Sequence, residues 1–172
     1  MSNLTPQSQP SQAEVDQIIG LYNQGQLEQT VSLAERLANQ YPSALILYDI
    51  LGAAYMGLKN ADKTIESYQK ALQLNPNHTD AYSNMGNALK DKGELDAAID
   101  SYKQALMIKP DFAEAYSNMG AALQDKGELD AAIDSYKQAL KIKPDHAKAY
   151  YNMGIALKDK GELDAAIDSY KQ

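Results

Sequence analysis

The sequence DKGELDAAIDSYKQ occurs three times in this chain, at residues 91–104, 125–138 and 159–172, with no difference between the copies. A catalytic site needs one nucleophile or one base in one pocket and gains little from duplication. A structural unit that can bury its apolar face only against a neighbouring copy does need repetition. The copies begin 34 residues apart, and a period of that length predicts a protein built from stacked supersecondary units.

The period of 34 residues extends over most of the chain, where it is kept by prolines, glycines and tyrosines outside the identical blocks. With the prolines placed at position 32, the repeat units are 11–44, 45–78, 79–112, 113–146 and 147–172, the last incomplete. We therefore expect one repeat domain over 11–172. Residues 1–10 are polar and proline-containing, and we expect them to form a disordered tail.

Each unit carries the pattern of two helices. In the third unit, helix A is predicted over 81–92 and helix B over 95–108, with Gly93 between them as expected just past a helix end. Pro110 then stops the helical pattern. Gly86 lies in the middle of helix A, where glycine costs about 1 kcal/mol relative to alanine. We expect a close approach between helices A and B at this glycine, because such packing would offset the cost.

The apolar and small residues of these units resemble those of the tetratricopeptide (TPR) repeat. The resemblance rests on Tyr82-x-x-Met85-Gly86-x-x-Leu89, Ala98-x-x-x-Tyr102 and Pro110, and in the next unit on Tyr116, Met119, Gly120, Leu123, Ala132, Tyr136 and Pro144. The family implies an all-α, right-handed superhelical solenoid of antiparallel helix pairs. It also implies that the A helices line a concave surface on which such proteins bind other proteins or peptides.

The composition narrows the classes of function. The 172 residues carry a formal net charge of −7, with a pI near 4.8, which argues against a general nucleic-acid binder and against docking on an anionic membrane. The chain has no cysteine, so it forms no disulfide and no thiolate metal site. Residues 1–12 lack a secretion signal, and the most apolar stretch, 44–58, is too short to span a bilayer. The expected location is cytoplasmic.

No cluster of residues predicts catalysis. His78 and His146 fall at the last position of their units, in the joints between helix pairs, and are too far apart in sequence to suggest a metal site. The carboxylates near the start of helix B lack the spacing of a calcium loop and predict a solvated helix face. They are Asp91, Glu94, Asp96 and Asp100, the last spaced to pair with Lys103. We expect no catalytic residue, no cofactor and no metal, and hence no enzyme.

The A helices of the last three units differ on one side only. Segments 79–90, 113–124 and 147–158 differ at positions 1, 2, 5, 9 and 12, which at about 100° per residue fall within one arc of about 100°. Packing fixes the rest of the helix, so this side, here named the variable face, is predicted to line a binding groove. The alternative is a solvated side that varies neutrally. The predicted groove residues are Ser83, Asn87, Lys90, Ser117, Gln124, Tyr151, Ile155 and Lys158.

Constant asparagines lie at position 6, at the edge of the variable face: Asn84, Asn118 and Asn152. An asparagine side chain offers both donors and an acceptor, so one per repeat could bind the backbone of an extended peptide. The row resembles the asparagine ladder in the TPR region of O-linked N-acetylglucosamine transferase. The second unit has Ile50 at this position, so the ladder begins at Asn84. The alternative is that these asparagines bond only to neighbouring helices.

The chain ends at Gln172, inside helix B of the fifth unit. The apolar residues and the proline that close earlier units do not follow, so we expect a fragment of a longer protein with an exposed apolar end that promotes pairing with another copy. The principal function predicted is a scaffold that binds a protein or peptide. Two alternatives are the substrate-recruiting arm of a larger enzyme, such as a glycosyltransferase, and a self-assembly module that uses exposed repeat ends.

Overall fold

The computed structural model describes residues 9–171 and contains only helices and their connections there. Residues 1–8 of the predicted tail lie outside the described part, as does Gln172. The helices of the described part are α1 Gln12–Asn23, α2 Leu27–Gln40, α3 Leu45–Gly57, α4 Ala61–Leu74, α5 Thr79–Asp91, α6 Leu95–Ile108, α7 Ala113–Asp125, α8 Leu129–Ile142, α9 Ala147–Asp159 and α10 Leu163–Tyr170.

The odd-numbered helices are A helices and the even-numbered ones are B helices, so that each pair lies within one sequence unit. The predicted helix B over 95–108 matches α6, and the predicted helix A over 81–92 differs from α5 by two residues at its start and one at its end. The predicted all-α fold of repeated helix pairs is confirmed.

The chain divides into two compact bodies, an N-terminal body of Met1–Ala81 and a C-terminal body of Tyr82–Gln172. The core of the first contains the fully buried side chains of Ile18, Leu37 and Leu47. The second contains a cluster around Ala105, Leu106 and Ala115, with partly buried aromatic rings packed against it. Each body therefore buries its own apolar surface, which is the main stabilising term for helix pairs of this length.

In the second to fifth units, a mid-helix glycine lets the A helix approach the tyrosine of its B helix. A Cβ atom added to Gly86 would lie 2.7 Å from the ring of Tyr102, and one added to Gly120 would lie 2.7 Å from the ring of Tyr136. Both rings are fully buried. The expected close approach at Gly86 is confirmed, and the group that requires it is the tyrosine ring.

The turn from helix A to helix B depends on one residue with left-handed backbone geometry. Gly93 has φ +80° at this place, and Gly127 and Gly161 repeat it. In the second repeat unit the glycine is replaced by Lys59, which nevertheless adopts φ +57°. A residue with a Cβ atom pays about 1–2 kcal/mol for that conformation, so Lys59 is a point of strain in the N-terminal body.

Exposed lysines connect successive helix pairs in the C-terminal body. Lys126 Nζ lies 2.6 Å from Asp96 Oδ1 of the preceding repeat unit and 2.6 Å from Glu128 Oε1 of its own. Lys160 repeats this arrangement with Asp130 and Glu162, at 2.6 and 2.7 Å. The hydrogen bonds to these carboxylates raise the pKa of both lysines. The predicted solvated face around Asp96 is therefore also a contact between repeat units, although pairs this exposed stabilise a fold only weakly.

Identical B-helix residues have different surroundings along the C-terminal body. Ile99 in α6 and Ile133 in α8 are 5% and 4% exposed, whereas Ile167 in α10 is 50% exposed. Helix α6 contacts α7, and α8 contacts α9, so the A helix that follows along the chain contributes to this burial.

Candidate functional site

The variable face comprises the positions of α5, α7 and α9 that differ from unit to unit. On the constant side, Gly86 and Gly120 contact the tyrosine rings of α6 and α8. The predicted groove residues that reach the surface are Tyr151 and Lys158, which are exposed, and Asn87, Lys90, Gln124 and Ile155, which are half-buried. A ligand lying across these helices would meet polar side chains on α5 and α7 and a tyrosine on α9.

Two predicted groove residues are covered. Ser83 and Ser117 are only 5% and 1% exposed, whereas Tyr151, at the same position of the last A helix, is 61% exposed. Helix α7, which carries Ser117, contacts α9. The prediction that Ser83 and Ser117 contact a ligand stays a prediction, and it would require their surroundings to open, because both side chains are covered in this conformation.

The three ladder asparagines are half-buried at the margin of the variable face. Asn152 has an internal partner, because its side chain hydrogen-bonds to the hydroxyl group of Tyr136 on the preceding B helix. An asparagine amide has two N–H groups and an oxygen with two lone pairs. One bond to Tyr136 therefore leaves Asn152 able to bond to a ligand as well.

The tyrosines of the B helices reach the variable face through their hydroxyl groups. Tyr102 donates to Asn87 Oδ1 at 2.8 Å, and Tyr136 donates to Gln124 Oε1 at 3.0 Å. Both acceptors are predicted groove residues, so the hydroxyl group of a buried tyrosine orients each of them. Sequence reasoning assigned these tyrosines to the core alone. One feature of the sequence could have indicated this second role: a buried position is occupied by tyrosine and not by phenylalanine. A buried tyrosine hydroxyl group normally has a hydrogen-bond partner.

Burial raises the pKa of Tyr102 and Tyr136 above the usual value for tyrosine. The negative charges of Asp91 and Asp125 raise the pKa of Tyr102 further, and Asp125 does the same for Tyr136. The hydrogen bond from Asn152 lowers the pKa of Tyr136 but does not reverse the shift. Both hydroxyl groups therefore remain protonated donors at physiological pH.

Charged residues mark one end of the variable face. Lys90 Nζ on α5 lies 3.8 Å from Asp91 and 3.9 Å from Asp125 of the next A helix. In α7 a glutamine replaces this lysine, and in α9 Lys158 contacts its own neighbour Asp159 at 3.9 Å. Of these two lysines, Lys90 joins two A helices, and its side chain is 28% exposed.

The histidines at the joints have local contacts. His78 Nε2 lies 2.9 and 3.0 Å from the two carboxylate oxygens of Asp49, and His146 Nε2 is buried without a protein partner. Among the described residues, no three side chains of His, Cys, Asp or Glu are grouped so that they could hold a metal ion. No helix found between residues 9 and 171 has both the length and the apolar character needed to cross a bilayer.

Two cavities lie away from the variable face. One of about 380 Å³ is bordered by Glu35, Tyr55 and Lys63 in the N-terminal body, and one of about 630 Å³ is bordered by Asp100, Lys103 and Asp134 in the C-terminal body. In the first, burial and the hydrogen bond to Glu35 raise the pKa of Tyr55 to about 12. Both are open clefts with charged residues at their margins.

The model of the TPR repeat matches residues 52–93, 86–127 and 122–161. These overlapping matches cover most of the chain, which therefore belongs to the TPR repeat family. No curated protein matches it by sequence.

Solved structures of TPR proteins have the same fold. A crystal structure of MamA is 28% identical, with a TM-score of 0.83 over 88% of this chain and 89% of MamA. The MamA protein of Desulfovibrio magneticus RS-1, from residue 41 to its end, is 19% identical, with a TM-score of 0.86 over 92% and 90% of the two chains. YrrB, described as a TPR protein with an unusual peptide-binding site, is 21% identical, with a TM-score of 0.76 over 93% and 82%.

Proposed function

We propose that this chain is a protein-interaction scaffold that binds an extended peptide segment across the variable face of α5, α7 and α9. The observation that carries the proposal is the restriction of all differences among three nearly identical A helices to one side. A peptide-binding site has been described for YrrB, a protein of the same fold, which supports this class of function.

In this proposal Asn84, Asn118 and Asn152 bind the peptide backbone, one per repeat unit, as in the asparagine ladder that they resemble. Asn87 and Gln124 would add side-chain contacts, and the tyrosine hydroxyl groups that bind their oxygens leave their N–H groups directed to other partners. Backbone binding tolerates many sequences, so selectivity would come from Tyr151, Ile155 and other variable residues.

The test is binding of the full chain to an array of extended peptides, beside a triple variant in which Asn84, Asn118 and Asn152 are all changed to alanine. We expect the triple variant to bind at least tenfold more weakly, because each lost hydrogen bond contributes about 0.5–1.5 kcal/mol. Circular dichroism would establish that the variant remains helical.

A matched control removes three exposed amide side chains from the B helices, by changing Gln69, Gln104 and Gln138 to alanine. This variant loses as many amides as the first but leaves the variable face intact, so we expect unchanged binding. Equal binding by the natural chain and the folded asparagine variant would rule out the ladder.

A further inference from the structure

The A helices of the N-terminal body carry an apolar pocket at the same helix positions that form the proposed groove. It lies between α1 and α3, has a volume of about 160 Å³ and is lined by Ile19, Tyr22, Asp49, Ile50 and Ala53. These residues occupy positions 9 and 12 of the first repeat unit and positions 5, 6 and 9 of the second. Ile50 stands where later units have the ladder asparagine, so an apolar site replaces a polar one here.

The walls of the pocket are large apolar side chains in contact with solvent. Ile19 and Tyr22 are 39% and 38% exposed, and Ile50 is 9% exposed. Apolar cavities of about 150 Å³ accept a molecule the size of benzene. The pocket therefore has room for one large side chain, such as that of leucine or phenylalanine.

The charge around the pocket is negative. Asp49 lines it, with a carboxylate that is 28% exposed beside His78, and Asp16 lies on α1 three residues before Ile19. Helices α1 and α3 contain no lysine or arginine. The lysines and arginines of the described N-terminal body are on B helices or in a turn, at Arg36, Lys59, Lys63 and Lys70, and the histidine of this body, His78, contacts Asp49. A complementary ligand would therefore carry a cation beside its apolar group.

We infer that this pocket is a subsite for a two-residue element of a peptide: a leucine or phenylalanine side chain inserted between Ile19 and Ile50, next to a lysine or arginine that faces Asp49 and Asp16. The subsite rests on the proposed function, since it specifies the kind of peptide that the A helices select. It does not depend on the asparagines, which lie in the other body.

The test uses the full chain with isotope-labelled isoleucine methyl groups and three dipeptide probes, observed by NMR. N-acetyl-leucyl-lysine amide should shift the methyl signals of Ile19 and Ile50 in a saturable way. N-acetyl-alanyl-lysine amide should bind at least tenfold more weakly, because it buries less apolar surface. N-acetyl-leucyl-glutamate amide should bind about threefold more weakly at low salt, and high salt should remove that difference.

Ile19→Ser should abolish the shift at Ile50, and Ile142→Ser, at an isoleucine of similar exposure (37%) on α8, should leave it unchanged. Unmoved Ile19 and Ile50 signals, or equal binding of the alanyl and leucyl probes, would overturn the subsite. Equal binding of the lysine and glutamate probes would overturn its charge preference.

The two proposals fail separately. Dipeptide binding that persists in the asparagine triple variant supports the subsite, even if the peptide array shows that the ladder is wrong. Loss of peptide binding in the triple variant, combined with no effect of Ile19→Ser on any probe, would remove the subsite and leave the proposed function standing.

Discussion

Glycines inside the A helices have different surroundings. Gly120 leaves room for the Tyr136 ring, and a Cβ atom there would lie 2.7 Å from it. Gly20 in α1 has no atom within 4 Å of the place where a Cβ would stand. Helix propensity favours alanine at both positions, so packing decides the outcome at the first and propensity at the second.

Gly120→Ala should therefore destabilise the protein by about 1–3 kcal/mol, because the added methyl group must displace a buried ring. Gly20→Ala should stabilise it by about 0.5–1 kcal/mol, because alanine loses less backbone entropy in a helix. Urea denaturation measures both. Changes of the same sign in the two variants would contradict the packing argument.

The strained turn at Lys59 makes a second prediction at this scale. Lys59→Gly should stabilise the protein by about 1 kcal/mol, because glycine adopts positive φ without a Cβ clash. The reverse change at the equivalent turn, Gly93→Lys, should destabilise it by a similar amount. If thermal denaturation shows no gain for Lys59→Gly, the left-handed geometry at that turn is not a source of strain.

At the scale of helices, the B-helix tyrosines join the core to the candidate site. The rings of Tyr102 and Tyr136 are buried against A helices, and their hydroxyl groups bond to side chains on the variable face. A change at the hydroxyl therefore affects both the stability of a helix pair and the orientation of Asn87 or Gln124. Phenylalanine keeps the buried ring and removes only the hydroxyl group. The substitution therefore tests the hydrogen bonds of the hydroxyl group separately from the burial of the ring.

The double variant Tyr102→Phe, Tyr136→Phe should be less stable at neutral pH by about 1.5–4 kcal/mol, because three hydrogen bonds are lost, including the one from Asn152 to Tyr136. Burial raises the pKa of both tyrosines in the folded protein, whereas an unfolded chain loses these protons near pH 10. Below that pH the two tyrosines are protonated in both the folded and the unfolded state, so their ionisation does not make stability vary with pH. Above it only the unfolded state ionises, so the free energy of unfolding falls as pH rises.

Urea midpoints measured between about pH 8 and 12 should thus fall more steeply for the natural chain than for the double variant. Lysine ionisation is common to both proteins and cancels in the comparison. Parallel curves would mean that the two hydroxyl groups do not have raised pKa values.

The two helices of the third unit could be predicted to within two residues because glycine and proline mark their boundaries. The close approach at Gly86 followed from the cost of glycine in a helix. The variable face could be located only because three A helices are nearly identical. The burial of Ser83 and Ser117 was missed because periodicity gives the direction of a side chain but not how closely the next helix pair covers it. The pocket at Ile19 and Ile50 was missed because the first two units diverge and allow no internal comparison.

At the scale of the whole molecule, identical residues in different repeat units contribute unequally to the stability of the fold. Ile133 and Ile167 occupy the same place in the same fourteen-residue block, yet one is 4% exposed and the other 50%. The free energy gained from each depends on the apolar surface removed from water, and that surface is set by neighbouring helices.

Ile133→Ala should therefore cost about 3 kcal/mol, as expected for a buried isoleucine, and Ile167→Ala less than about 1 kcal/mol. The two variants are matched controls for each other, because the substitution and its local sequence are the same. Chemical denaturation followed by circular dichroism gives both values, and equal losses would contradict the described difference in burial.

The lysine contacts between repeat units have a consequence for how such a chain can change in length. The identical block supplies both halves of the joint: the lysine and glutamate that face backwards, and the aspartate that the following lysine meets. A unit gained or lost by recombination within the repeated DNA would leave every remaining joint correctly matched. Evolution could therefore lengthen or shorten the array in whole steps, and alter the variable residues afterwards, without redesigning the connections.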